Sequence, residues 1–173
     1  FWIDVGGTFT DVIARTPQGE TRRMKLLSSG WMRGRIERIT GQDSFFDARR
    51  SEEPAGFWNG ARLALLGRDL ERRVAGFDAE RGLLLDAPLP EDAAGAEYEL
   101  SAGVDAPVLA IRLLTGTKPG EKPPACRVRL GTTRGTNALL TRNGAKTVLV
   151  TTRGFGNLLE IGDQQRPRLF ELG

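Results

Sequence analysis

Two carboxylates, two glycines and two threonines fall close together near the start of the chain, as Asp4, Gly6, Gly7, Thr8, Thr10 and Asp11. Apolar, strand-favouring residues flank the glycines on both sides, so the stretch reads as a tight β-hairpin in which Gly6 and Gly7 supply positive φ. Glycine also lets a ligand come close to the backbone. Amide N–H groups and hydroxyls suit a phosphate, and a carboxylate suits Mg²⁺ or its waters. The same residues also fit a Gly-Gly hairpin whose polar groups are merely solvated.

A second polar group follows later, Gly131-Thr132-Thr133-Arg134-Gly135-Thr136-Asn137. It lies where a strand over residues 127–130 is expected to end and a helix through Ala138-Leu139-Leu140 to begin. Such a junction offers unbonded N–H groups and the positive end of a helix dipole, which favour an anion. Thr132, Thr133 and Thr136 add hydroxyls and Asn137 an amide. One threonine serving as an N-cap, with the others solvated, accounts for the same residues.

These groups need a frame. Strands are expected over residues 1–5, 8–15 and 20–27, with Thr16-Pro17-Gln18-Gly19 as a β-turn that makes neighbours antiparallel. From 31 to 103 the pattern breaks into short apolar runs, and 62–66, 72–77, 82–85 and 97–100 read as strands. We read 31–103 as a β-rich insertion, a small barrel as one form, in which Trp31, Phe45, Phe46, Phe57 and Trp58 could supply the core; a long surface excursion is the alternative. Residues 105–115 read as a helix capped by Asp105 and ended by Gly116, and the Lys118–Pro124 stretch as an exposed connector. After the 127–130 strand and its helix, stopped at Asn143-Gly144, a buried parallel strand is expected at 146–151 and a further helix over 154–161. Three antiparallel strands followed by alternating helix and strand is the order of a ribonuclease-H-like α/β half domain. Its two parts would be 1–30 and 104–173.

The 173 residues carry 39% hydrophobic and 27% charged side chains and a net charge of +3, which suits a soluble globular protein. The arginines are scattered despite a pI near 9.5, which argues against nucleic acid; Arg22, Arg23 and Lys25 read as a solvated strand face. No apolar run approaches the ~18 residues of a membrane span, and no secretory signal is visible. Cys126 is the single cysteine, so no internal disulfide forms, and a cytoplasmic setting is expected. With no histidine, any catalysis must use carboxylates, hydroxyls, lysine, amides or a metal. A chain that starts within a strand and stops without a closing element reads as part of a longer protein.

Asp4-Val5-Gly6-Gly7-Thr8-Phe9-Thr10-Asp11 resembles the first phosphate motif of the actin, hexokinase and Hsp70 ATPase superfamily, and its Thr8-Phe9-Thr10-Asp11 ending resembles the hydantoinase/5-oxoprolinase family. Gly131 to Leu140 resembles the Gly-Thr-Thr-x-x-Thr-Asn-Ala-Leu-Leu stretch of that family. Gly144-Ala145-Lys146, Val150-Thr151-Thr152-Arg153-Gly154-Phe155, Leu159-Glu160-Ile161-Gly162 and Arg166-Pro167 match as well. The likeness covers roughly 1–27 and 127–172. It departs at Leu130, where members often have His, and at Gly156 and Asn157, where Arg and Asp are usual.

The resemblance implies an actin-like ATPase half domain in an ATP-dependent hydrolase of cyclic amides, where phosphorylation of a ring carbonyl precedes opening by water. ATP and Mg²⁺ would be the cofactors. Asp4 would serve the metal, and Gly6, Gly7, Thr8 and Thr10 the β- and γ-phosphates. Asp11 would polarise a nucleophile or support the metal. Thr132, Thr133, Thr136 and Asn137 would line the substrate side or the opposite phosphate wall. A B-type subunit or fused domain is the expected partner, the full-length protein is expected to be oligomeric, and this part alone is expected to be inactive. The alternatives are an ATP-dependent ketone carboxylase subunit, a non-catalytic nucleotide-sensing module, and a sugar-kinase-like or acetate-kinase-like enzyme of the same superfamily, which would share the first motif but not the Gly131–Leu140 stretch.

Overall fold

A computed structural model describes residues 1–78 and 80–162. Three strands open the chain: β1 (Trp2–Val5), β2 (Phe9–Arg15) and β3 (Thr21–Leu27), joined as antiparallel neighbours. Strict alternation along β2 sends Thr10, Val12 and Ala14 inward and Phe9, Asp11 and Ile13 outward.

Seven strands follow: β4 (Trp31–Arg35), β5 (Arg38–Gly41), β6 (Ser44–Phe46), β7 (Arg62–Leu65), β8 (Glu71–Asp78), β9 (Gly82–Leu85) and β10 (Glu97–Ser101). Their order is β4-β10-β7-β8-β9-β6-β5. The two ends of that row are halves of one bent strand. Ile36 N–H continues the β10 pairing by donating to Ala96 C=O, and Glu37 N–H starts the next by donating to Phe46 C=O. The row therefore closes on itself around Ile36, Phe45, Leu63, Val74, Leu83, Tyr98 and Leu100. Phe57 and Trp58, on the link from β6 to β7, are fully buried in the same core, stacked edge to face at 5.0 Å.

The helix α1 (Ala106–Thr115) packs on β2 and β3, burying Ala106, Leu109 and Ala110. Gly116 ends it at φ 69, but Asp105 caps with its backbone position only; its side chain makes no cap hydrogen bond. After the exposed connector, β11 (Arg129–Thr132) lies parallel to β1 at its outer edge, in the order β11-β1-β2-β3. The strand sits two residues later than the sequence pattern indicates, because pairing begins at Trp2 with Arg129 and carries Gly131 and Thr132 alongside Asp4 and Val5. The helix α2 (Arg134–Thr141) follows and stops at Arg142, which takes the left-handed φ of 52 ahead of Asn143-Gly144.

The strand expected at 146–151 does not form, and Val148 and Val150 are exposed. A parallel strand draws its stability from cover on both faces. Here α2 buries no residue and leaves Leu139 and Leu140 in solvent, so that cover is missing. The helix expected over 154–161 shrinks to α3 (Leu158–Ile161), since Gly154 at φ 96 breaks the helical run before it starts. Arg166-Pro167 lies outside the described residues. No helix among the described residues is long and apolar enough to cross a membrane.

Candidate functional site

The topology brings three chain segments to one end of the four-stranded sheet. The β1–β2 connection turns there, β3 ends there because it runs parallel to β1, and β11 delivers the start of α2 there. Gly6, Gly7, Ser28, Ser29, Arg134 and Asn137 line an open cleft of about 410 Å³ at this end.

Gly6 and Gly7 do not take positive φ, contrary to the hairpin reading. Glycine is required for close approach instead. A β-carbon on Gly6 would lie 2.9 Å from the Phe9 carbonyl oxygen, which the Gly6 N–H already binds at 3.0 Å. One on Gly7 would lie 2.9 Å from the side-chain amide nitrogen of Asn137. Asn137 thus rests against the turn, and Thr133 N–H donates to Val5 C=O to hold the start of α2 in place.

Thr10 is fully buried behind the turn and does not reach the cleft. Its hydroxyl lies 2.9 Å from that of Ser28, and Ser28 Oγ donates to Gly6 C=O at 2.8 Å. Ser28 N–H also donates to Thr8 C=O. Ser28 is therefore the clasp between β3 and the turn. The sequence reading missed it, although three antiparallel strands with a turn after the first must return the end of the third to that turn. Thr8 stands exposed at the tip.

Asp4 and Asp11 face each other across β1 and β2, both exposed on the sheet face that α1 leaves uncovered. Like charges directly opposite destabilise a strand pair. Lys25, opposite Asp11 on β3, offsets this with its ammonium 3.4 Å from Asp11 Oδ1. Gly131 completes the row beside Asp4. Thr132 Oγ1 accepts from Arg134 N–H at 3.2 Å, Thr133 occupies the N-cap position without a side-chain cap bond, and Thr136 is exposed. Of the residues expected to act, Gly6, Gly7 and Asn137 line this cleft. Asp4 and Asp11 stand beside it on the open sheet face, Asp11 with Lys25 in a shallow hollow of their own. Thr10 is withdrawn, and Thr132 and Thr133 are held against Val5 at the β11–α2 junction.

A larger cavity of about 590 Å³ opens at the opposite end of the sheet, between Trp2, Arg15, Arg22, Arg127 and Arg129. It contains none of the glycine, hydroxyl and carboxylate groups described above, and size alone does not make it the site.

The family model described as "Hydantoinase/oxoprolinase N-terminal region" matches residues 1–53 and 94–173. The chain belongs to this family. The match skips 54–93, so β7, β8 and β9 fall outside the hydantoinase/oxoprolinase pattern while β4, β5, β6 and β10 fall within it. Among relatives, 5-oxoprolinase of Dictyostelium discoideum is 62% identical over 45 residues, 26% of this chain and 4% of that protein. 5-oxoprolinase 1 of Arabidopsis thaliana is 43% identical over 77 residues, 39% of this chain and 6% of that protein. 5-oxoprolinase of Saccharomyces cerevisiae is 51% identical over 45 residues, 26% of this chain and 4% of that protein. The chain thus spans only a small fraction of each relative's length. No solved structure matches it significantly.

Proposed function

We propose that this chain is the phosphate-binding lobe of an ATP-dependent hydrolase that opens cyclic amides, of the 5-oxoprolinase or hydantoinase type. The observation that carries the reading is the contact between Asn137 and Gly7, which joins the two polar motifs in one cleft. The strand order β3-β2-β1-β11, with its last pair parallel, supports an actin-like, ribonuclease-H-like lobe.

The backbone N–H groups of Gly7 and Thr8 and the first turn of α2 would hold the β- and γ-phosphate oxygens. Thr10 would act from behind, through Ser28, by fixing the turn. Asp4 would hold Mg²⁺, directly or through water. Among the described residues no three carboxylate, cysteine or histidine side chains gather as a metal cage. The exposed Asp4 carboxylate on the open sheet face suits Mg²⁺, which takes one or two carboxylates and completes its shell with water and substrate phosphates. Thr132 and Thr133 would form the opposite wall. ATP, when bound, would supply a phosphoryl group that turns the unreactive amide oxygen into a leaving group, a transfer governed by positioning and charge neutralisation. Adenosine and most substrate contacts are assigned to the rest of the full-length protein and to a B-type subunit or fused domain.

The test is ADP formation by the full-length protein with its B-type partner. 5-Oxoproline, a hydantoin, and acetone with bicarbonate are added in turn. Stimulation by either cyclic amide supports the reading, and stimulation by the ketone alone moves the protein to the carboxylase branch. Bound ATP without stimulation points to a sensing module. Asp4→Ala is expected to abolish turnover; full turnover in that variant would remove the metal role of Asp4.

A further inference from the structure

We propose that Lys25 is a phosphate-binding residue of this site and that Asp11 serves as its anchor. The inference rests on the reading that the glycine turn holds nucleotide phosphates. The row Gly131, Asp4, Asp11, Lys25 runs straight across the uncovered sheet face. Lys25 is the one cation in that row. Its ammonium touches both Asp11 carboxylate oxygens, at 3.4 and 3.5 Å. It also lies 5.0 Å from the centre of the Phe9 ring, and Phe9 directly follows the Gly6-Gly7-Thr8 turn. Lys25 and Asp11 line a shallow hollow of their own on this face, and the Phe9 contact ties it to the residue that follows the turn.

An ammonium has three N–H donors and no acceptor. Asp11 engages one side of it and the Phe9 face supports another, leaving donor capacity on the solvent side. An exposed ion pair of this kind contributes little to stability, and Lys25 and Asp11 side chains are 59% and 61% exposed. A cation held at low stability benefit against Phe9, the residue after the turn, is suited to exchange solvent for an oxygen of a phosphate chain that extends from the turn across the open face. The arrangement also separates the two carboxylates. Asp11 is committed to Lys25, and Asp4, with only Gly131 on its other side, is left for the metal.

The experiment is calorimetric titration of the full-length protein with a non-hydrolysable ATP analogue, ADP and AMP. Wild type is compared with K25M, K25R, D11N, K25M/D11N and D4A. K25M is expected to weaken the triphosphate analogue about tenfold, the scale of one charge-assisted hydrogen bond, while AMP affinity stays at the wild-type value. K25R should recover part of the loss. D11N should weaken the analogue less than K25M, and the double variant should be no worse than K25M alone, because Asp11 acts through Lys25. Wild-type affinities in K25M, or losses in K25M and D11N that simply add, overturn the proposal. If D4A weakens metal-dependent nucleotide binding while K25M binds normally, Lys25 alone is misassigned. If wild type binds no nucleotide, the underlying reading of the site fails, and this inference with it.

Discussion

The side-chain amide nitrogen of Asn137 stands 2.9 Å from the point where a β-carbon on Gly7 would lie. Gly6 is equally crowded, but by the Phe9 carbonyl of the turn itself. The two glycines should therefore fail differently. In Gly7→Ala the Asn137 tip can swing away, so stability should fall by less than about 1 kcal/mol while nucleotide binding at the cleft is lost. In Gly6→Ala backbone meets backbone, and the cost should be about 1–3 kcal/mol. Denaturant unfolding of both variants, alongside nucleotide titration, checks this. Equal destabilisation would contradict the assignment of Asn137 as the yielding partner.

The Ser28 hydroxyl joins the buried Thr10 hydroxyl to the Gly6 carbonyl. Ser28→Ala leaves Thr10 without that partner inside the core, at a cost of about 1–2 kcal/mol. Adding Thr10→Val removes the stranded hydroxyl with little change in shape, so the double variant should regain part of the loss. Chemical denaturation midpoints of the three variants measure it. A double variant less stable than the sum of the singles would mean that Thr10 has another role.

The glycine turn, the three opening strands and the barrel strands with dense apolar residues were legible because each is a local pattern. The reason for the glycines was not, since close approach by Asn137 depends on a helix that starts far along the chain. Thr10 read as a phosphate ligand because its type fits; strand alternation from Phe9 assigns it to the inner face. The short strands β4, β5 and β6 have little periodicity, and Gly34 interrupts β4. Gly34 is there because a β-carbon would collide with Tyr98 and Asp47. Val148, Leu149 and Val150 carry the composition of a buried strand, but composition does not supply the covering layer that burial requires.

Gly82, unlike Gly6 and Gly7, needs both its backbone angle and its bareness. It opens β9 at φ 93, and a β-carbon there would collide with the Phe45 carbonyl and with the Phe46 backbone. Neither of these partners is a movable side-chain tip. Gly82→Ala should cost on the order of 3 kcal/mol or more, through strain at a left-handed position and lost β6–β9 pairing. Thermal unfolding followed by circular dichroism should show a drop of many degrees. A melting temperature within a degree or two of wild type would show that the β8–β9 hairpin can shift without cost.

Tyr98 offers a test of the barrel core through pH. Its phenol is fully buried, donates to Asp47 Oδ2 at 2.7 Å and accepts from Arg50 Nε at 3.2 Å. Burial is the main cause that pushes its pKa above the ordinary 10.0; the Asp47 carboxylate adds to the rise and Arg50 opposes it. Arg50 in turn is held by Glu53 at 2.8 Å and by the Arg33 carbonyl at 3.1 Å. A group whose pKa is raised on folding contributes stability that is complete below its unfolded pKa and is lost as pH climbs toward the folded value. Tyr98 should therefore leave stability unchanged up to about pH 10 and erode it above. It is the single tyrosine among these 173 residues, so the large pH-dependent rise in absorbance at 295 nm, read above the background of the three tryptophans, reports its ionisation. Phenolate should appear only together with loss of the folded near-ultraviolet signal. Tyr98→Phe should remove this alkaline loss, at a cost near neutral pH of about 1–3 kcal/mol for the partners it strands. A one-proton titration near pH 10 with the fold intact would show that the phenol is reached by solvent and that the Asp47–Tyr98–Arg50 cluster does not seal the barrel.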